Sequence, residues 1–196
     1  MKVELLFATP NSEEFLGYVA GECYGADVSD PEKNVKRAKH CSTKGHLAVL
    51  RFAHAVFRIS DISRVCSHQM VRSKHLDFLQ KSQRYTKSDI SEMDELEIPT
   101  FFESSEEGAL VLRQAIENSY TAYEQLLSIG AKKEDARMVL PNFSPTSLNV
   151  VGNFQAWLDF IKLRNTKEAQ HEIRLVAQEV ERQLNVIAPN IFSVKS

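Results

Sequence analysis

No apolar run in the 196-residue sequence approaches the roughly 20 residues that cross a membrane. The opening residues, MKVELLFATPNSEEF, lack the long apolar core of a secretory leader. Cysteine is scarce, and Cys23, Cys41 and Cys66 form an odd count with no metal-like spacing. The six histidines do not pair as metal ligands either. These absences point to a reduced, cytoplasmic protein with no metal centre and no membrane partner. No Gly-rich phosphate loop is present, which disfavours P-loop and Rossmann readings. The net charge of -2 lacks the basic excess of a domain that grips nucleic acid polymer. Repeats, low-complexity tracts and linkers are also missing. What remains is a chain of ordinary globular composition, 43% hydrophobic and 26% charged. It is long enough for a single domain over residues 1–196 with a sizeable core.

Local patterns sort into strands and helices. KVELLFA reads as a short strand. TPNSEEFLGYVAGECYG opens on Pro and acidic residues and closes on Gly25, as a helix does. SDPEKNVKRAKHCSTKG repeats that grammar, with Ser29 as cap, Pro31 early and Gly45 as stop. FAHAVFRIS has strand character with imperfect alternation. DISRVCSHQMVR follows with helical spacing, and SQRYT reads as extended. Four more helices are expected: SSEEGALVLRQAIENSYTAYEQLLSIG, KKEDARMVLP, NFQAWLDFIKLR and KEAQHEIRLVAQEVERQLNVI. TSLNVV reads as a strand between the second and third of these. Trp157 keeps helical spacing with Phe154 and Ile161, which favours core packing. Strands and helices do not alternate regularly, so the fold class is α+β.

The segment SHQMVRSKHLDFLQKSQRYT, residues 67–86, is the chemical outlier. It carries Arg72, Lys74, Lys81 and Arg84, with Gln69, Gln80 and Gln83 between them. Such a density of donors in a slightly acidic chain points to a small anion. In Gln80-Lys81-Ser82-Gln83-Arg84 a hydroxyl and backbone donors lie beside a guanidinium, a set that suits phosphate. Arg137, in DARMVLP, and Arg164, ending FIKLR, stand among apolar neighbours. Guanidinium forks donate parallel hydrogen bonds to phosphate or to the carbonyl edge of a base. Each arginine taken alone also fits an ordinary surface ion pair.

Together these residues resemble the flavin-dependent thymidylate synthase (thymidylate synthase complementing protein) family. That family carries Arg-His-Arg, seven residues, then Ser; here Arg72-Ser73-Lys74 is followed by seven residues and Ser82. GHLAVLRFAHAVFRISDISRVCSHQMVR runs without gaps along one family segment, and KSQRYT matches its continuation. ARMVLP, NFQAWLDFIKLR and EAQHEIR match three later motifs. The resemblance implies a small, mainly antiparallel sheet flanked by several helices. It also implies a homotetramer with active sites between subunits. The implied reaction moves a methylene from methylenetetrahydrofolate to C5 of dUMP, with FAD reduced by NADPH supplying the hydride. By position, Gln69, Arg72, Ser82, Arg84 and Arg137 match nucleotide-binding residues, and Gln80, Lys81 and Gln83 belong to the same substrate loop. Arg164 matches the catalytic arginine that contacts the pyrimidine. A guanidinium there stabilises negative charge as the ring becomes a nucleophile. His46, Ala48, Ser73, Lys74, Asn153, Gln155 and Asp159 match positions that hold or flank FAD.

Several of those flavin positions depart from the pattern. Arg51-Phe52 replaces a Glu-His, Ala48 a Ser, and Ser73 and Lys74 replace His and Arg. Gln155 replaces Arg, and Asp159 replaces Asn, adding a charge and removing two donors. The nucleotide half is kept beside a flavin half rebuilt or lost. Two further readings therefore stay open. One is a hydroxymethylase on dUMP or dCMP, with water capturing the methylene and Cys66 as an alternative nucleophile. The other is a non-catalytic paralogue that binds nucleotide.

Overall fold

The computed structural model describes residues 1–193, so the end of the expected domain lies outside them. Strand β1 (Lys2–Ala8) leads into helices α1 (Ser12–Glu22) and α2 (Pro31–Thr43). A 3-10 turn over Leu47–Phe52 precedes β2 (His54–Ser63), α3 (Arg64–Met70) and β3 (Leu76–Gln80). A second 3-10 turn, Ile90–Glu95, is followed by α4 (Thr100–Ser104) and the long α5 (Glu106–Ser128). The short α6 (Lys133–Ala136) passes into a 3-10 turn over Arg137–Val139. Then come β4 (Pro145–Asn153), α7 (Phe154–Arg164), α8 (His171–Ile187) and α9 (Pro189–Phe192). The sheet order is β1-β2-β4-β3, and every pair is antiparallel. This is the α+β arrangement expected from the sequence. No helix among the described residues is long and apolar enough to cross a membrane.

One face of the sheet is packed. Ala55, Phe57 and Ile59 of β2 alternate inward, beside Leu148 and Val150 of β4. Trp157 of α7 lies edge-on to Phe57, with ring centroids 4.9 Å apart, and its indole N–H donates to the Ala55 carbonyl at 3.1 Å. The tryptophan is wholly buried, as its helical spacing indicated. Helix α8 adds Ile173, Val176, Ala177, Val180 and Leu184, a single stripe at helical period. Burying one such apolar side chain stabilises the fold by about 1.5–3 kcal/mol. A Cβ on Gly17 of α1 would collide with the Asn34 backbone of α2, so the glycine permits that close crossing.

Both central strands run directly into helices, and each junction is capped. Ser63 Oγ accepts from the Cys66 amide at 3.1 Å to start α3. Asn153 Oδ1 accepts from the Ala156 amide at 2.9 Å to start α7. Removing a cap of this kind costs about 1 kcal/mol.

The local readings need four corrections. LDFLQ forms β3, which short apolar content had hidden. SQRYT is a turn, because the Tyr85 and Thr86 amides donate back to the Ser82 carbonyl at 3.2 and 3.0 Å. The helix expected from Asp61 starts at Arg64, since β2 continues to Ser63 through a bulge. Between Ile59 and Ile62 this strand advances three residues while β4, from Leu148 to Thr146, advances two. Asp61 absorbs the extra residue at φ 56°. Finally, Asp30 rather than Ser29 caps α2, accepting from the Glu32 and Lys33 amides, while Ser29 bonds to Asp27.

Candidate active site

The start of α3 fixes the angular position of Gln69, and that start is anchored from below. Glu172, buried on α8, accepts the Ser63 amide at 2.6 Å and the Ser63 hydroxyl at 2.5 Å. Nearly two turns further, Gln69 Nε2 donates to Gln170 Oε1 at 2.6 Å. The Gln69 carbonyl accepts from Arg164 Nη2 at 2.9 Å. The sheet thus brings the end of α3 and the end of α7 together. Arg164 Nε is buried without a partner, and no carboxylate forms a salt bridge with Arg164 among the described residues. A half-buried guanidinium with an unused N–H suits an electron-rich carbonyl or an anion. Cys66, on the same helix, is wholly buried. Burial first, then the Glu172 charge, pushes its thiol far above the ordinary range.

Strand β3 delivers residues 80–84 to the sheet edge, where their side chains take different paths. Gln80 turns inward, donating to Ser67 Oγ at 3.0 Å and Thr146 Oγ1 at 3.1 Å. Lys81 Nζ is 2.9 Å from both Glu92 oxygens. Arg84 Nε donates to Glu134 Oε2 at 2.7 Å. That hydrogen bond and the Arg84 charge hold the Glu134 carboxyl below its usual range. Ser82 Oγ accepts from the Arg84 amide at 3.3 Å. Arg72 lies exposed just beyond α3, followed by exposed Lys74. Arg137 Nε donates to the Glu134 carbonyl at 3.2 Å, and its side chain opens with Gln83 into a cavity of about 250 Å³.

That cavity exposes residues the sequence reading passed over. Arg64, His68 and Asn142 line it as well. Arg64 lay inside DISRVCSHQMVR, which was read only for its helical spacing. Glu172 was also passed over, because a lone glutamate on an amphipathic helix looks like surface.

Of the positions matched to FAD, His46, Ala48, Asn153, Gln155 and Asp159 line two neighbouring cavities, whereas Ser73 and Lys74 line neither. Arg51, His75, Asn153, Gln155 and Asp159 share a cleft of about 300 Å³ at the β4–α7 junction. Asn153 spends its side-chain oxygen on the helix cap. Gln155 Nε2 donates to Asp159 Oδ1 at 2.8 Å, and Gln155 Oε1 is buried without a donor. Ser73 Oγ is likewise buried and unpartnered. His75 sits at φ 63°, a strained conformation for a non-glycine residue, of the kind found at ligand clefts. His46 and Ala48 line a separate cavity of about 340 Å³ with Cys23, Cys41 and Phe52. Leu47 lines both. An unsatisfied amide oxygen, a guanidinium and an imidazole around one cleft fit a flavin, whose ring N–H and diphosphate need such partners. The Asp159 carboxylate is the one member that opposes a diphosphate. No group of three or more His, Cys, Asp or Glu side chains among the described residues is placed to hold a metal.

The family model for thymidylate synthase complementing protein matches residues 4–190. The flavin-dependent thymidylate synthase of Mycobacteroides abscessus is 33% identical over 198 residues, covering 93% of this chain and 78% of its own. That of Mycobacterium tuberculosis is 32% identical over 200 residues, covering 94% and 78%. A crystal structure of a UMP/dUMP methylase, PolB, from Streptomyces cacaoi bound with 5-Br dUMP aligns with a TM-score of 0.81. Its 18% identity, over 98% of this chain and 93% of the other, is a likeness of fold. With the match spanning nearly all of β1 to α9, the chain belongs to the thymidylate synthase complementing protein family.

Proposed function

We propose that the protein transfers a one-carbon unit to C5 of a pyrimidine deoxynucleotide monophosphate, converting dUMP to dTMP with methylenetetrahydrofolate as donor. The observation that supports this most is the Gln69–Arg164 contact, which leaves an unused guanidinium N–H beside the end of α3. In this reading Arg164 faces the base and holds the negative charge that develops as C5 attacks the methylene. Gln69, oriented by Gln170, is positioned for the base edge. Ser82, Arg84, Arg72 and Arg137 hold the phosphate, with Gln80 and Lys81 fixing the loop that carries them. Arg51, His75 and Gln155 hold FAD at the cleft, with Asn153 setting the helix start. When bound and reduced by NADPH, FAD supplies the hydride.

The reading includes a homotetramer with shared sites. Helix α5 buries only Tyr120 and Tyr123 among its residues, leaving Leu110 59% and Val111 66% exposed. Phe101 of the preceding α4 is 65% exposed. Apolar area of this kind supports association with further copies.

A second reading, hydroxymethylation of dUMP or dCMP, is favoured by the charge changes at Arg51 and Asp159 within one cleft. Cys66 does not serve as its nucleophile, because the thiol is buried and kept protonated. The deciding experiment is mass spectrometry of dUMP and dCMP after incubation with methylenetetrahydrofolate, with and without FAD and NADPH. A flavin-dependent methyl product supports the first reading. A flavin-independent hydroxymethyl product replaces it with the second, and unchanged nucleotide replaces both with a binding role.

A further inference from the structure

We propose that Cys23 and Cys41 form a redox-active dithiol, in which a low-molecular-weight disulfide modifies Cys23 and Cys41 then displaces it to leave an intramolecular disulfide. Cys23 caps the end of α1, and Cys41 lies in the last turn of α2. The packing of the two helices brings these ends together. Gly17 of α1 lies against Asn34 of α2, so closely that a Cβ there would fall on the Asn34 backbone. One turn on, Gly21 lies against the Arg37 side chain. The next turn of each helix sets the region of Cys23 opposite Cys41. Both cysteines line the same cavity of about 340 Å³.

The two sulfurs suit different roles. Cys23 is exposed and Cys41 is buried, so a reagent in solution reaches Cys23 first. Burial raises the Cys41 thiol, Arg37 opposes that rise, and the Cys23 charge adds to it. Cys41 is therefore a poor nucleophile toward bulk solution. It acts on a sulfur presented inside its own cavity, where proximity raises the effective concentration. In the first step the Cys23 thiolate attacks one sulfur of the reagent, breaking its S–S bond and releasing one thiol. In the second, Cys41 attacks Cys23 Sγ, forming the protein disulfide and releasing the second thiol. Two cysteines are oxidised, one reagent disulfide is reduced, and the two cysteine protons end on the released thiols. Cys66 lines no part of this cavity and takes no part in the exchange.

The position of the pair gives its oxidation a consequence. His46 and Ala48 line the same cavity, and Leu47 joins it to the cleft of Arg51, Gln155 and Asp159. The His46 amide donates to the Cys41 carbonyl at 2.9 Å, so a shift of the Cys41 backbone passes directly to His46. A disulfide holds its two Cα atoms about 4.4–6.8 Å apart. Closing it ties the end of α1 to the end of α2 across the cavity and fixes the space between them. Oxidation therefore weakens ligand binding at the adjoining cleft. This gating step rests on the flavin reading above; the disulfide itself does not.

The test equilibrates the full-length protein with mixtures of reduced and oxidised glutathione, quenches with acid, and maps peptides by mass spectrometry. Wild type should lose two thiols together and yield a Cys23–Cys41 peptide pair, with Cys66 still free, and dithiothreitol should reverse the change. Cys41→Ala should trap the glutathione adduct on Cys23, and Cys23→Ser should take up none. If a variant does not fold, the wild-type peptide map decides alone. A lasting adduct on wild-type Cys23 with Cys41 free, a Cys23–Cys23 link between copies, or three free thiols in the most oxidising mixture overturns the proposal. Fluorescence titration with FAD then compares the reduced and oxidised forms, and we expect the oxidised form to bind several-fold more weakly. Equal affinity overturns the gating step. If neither form binds FAD, the flavin reading and the gating step fall, and the disulfide still stands or falls on the peptide map.

Discussion

Glu172 and Ser63, far apart in sequence, meet through two hydrogen bonds in the core, one to the serine amide and one to its hydroxyl. The same hydroxyl caps α3, so the carboxylate on α8 fixes the helix that carries Gln69. Replacing Glu172 with Ala strands a buried amide and leaves a cavity. We expect a loss of about 2–4 kcal/mol in urea unfolding. A stability change within 0.5 kcal/mol would show that the pair is dispensable.

Arg84 is bonded to Glu134 at an exposed position. An exposed pair contributes little to stability, about 0–1 kcal/mol. Arg84→Ala should therefore leave the melting temperature nearly unchanged while weakening dUMP binding about tenfold. Calorimetry and thermal melting separate the two effects, and unchanged affinity would remove Arg84 from the phosphate site.

The three thiols should behave unequally. Cys23 is exposed, whereas Cys41 and Cys66 are buried. A thiol reagent at mildly alkaline pH should label Cys23 in the native protein and all three after denaturation. Burial raises the Cys41 and Cys66 thiols. In the unfolded chain they ionise near pH 8.5. Above that pH the unfolded state holds fewer protons, so stability falls as pH rises. The expected slope is up to about 1.4 kcal/mol per pH unit for a thiol such as Cys66. Rising stability between pH 8.5 and 10 would contradict the burial of these groups.

The flavin cleft offers a gain-of-binding test. Asp159 faces the space a diphosphate-bearing ligand would share with Arg51. We expect wild type to bind FAD weakly in fluorescence titration, and Asp159→Asn to bind it several-fold more tightly. Stoichiometric FAD binding by wild type, with NADPH-driven reduction, would show that the altered cleft is flavin-competent as it stands.

Sedimentation at micromolar concentration should show a homotetramer. A monomer would leave the exposed face of α4 and α5 without a partner and would remove the shared-site model.

Much of this was legible from residue order because it depended on local rules. The α8 stripe, the Trp157 packing and the stops at Gly25 and Gly45, both at positive φ, follow from period and backbone freedom. What stayed hidden depended on partners distant in sequence. LDFLQ is a strand because β4 offers it a ladder from Leu76–Gly152 to Gln80–Leu148. Lys81 and Arg84 looked like free cations until Glu92 and Glu134 were placed beside them. Arg64 looked like one more residue of a helix until the fold set it beside Arg137 in a cavity without carboxylates. The flavin substitutions were visible, but only the fold puts Arg51 in the same cleft as Gln155 and Asp159.

The bulge at Asp61 sets the phase in which the site is built. The strand enters with odd-numbered residues inward and leaves with Ile62 and Ser63 buried, opposite Thr146 and Pro145. An unbroken ladder would instead set Asp61 against Thr146 and push Ile62 and Ser63 one place along β4. Ser63 would then leave both Glu172 and the Cys66 amide, and α3 would lose the anchor and the cap that aim Gln69 at Arg164. One extra residue thus lets a single strand fill the core and still deliver the start of α3 in register.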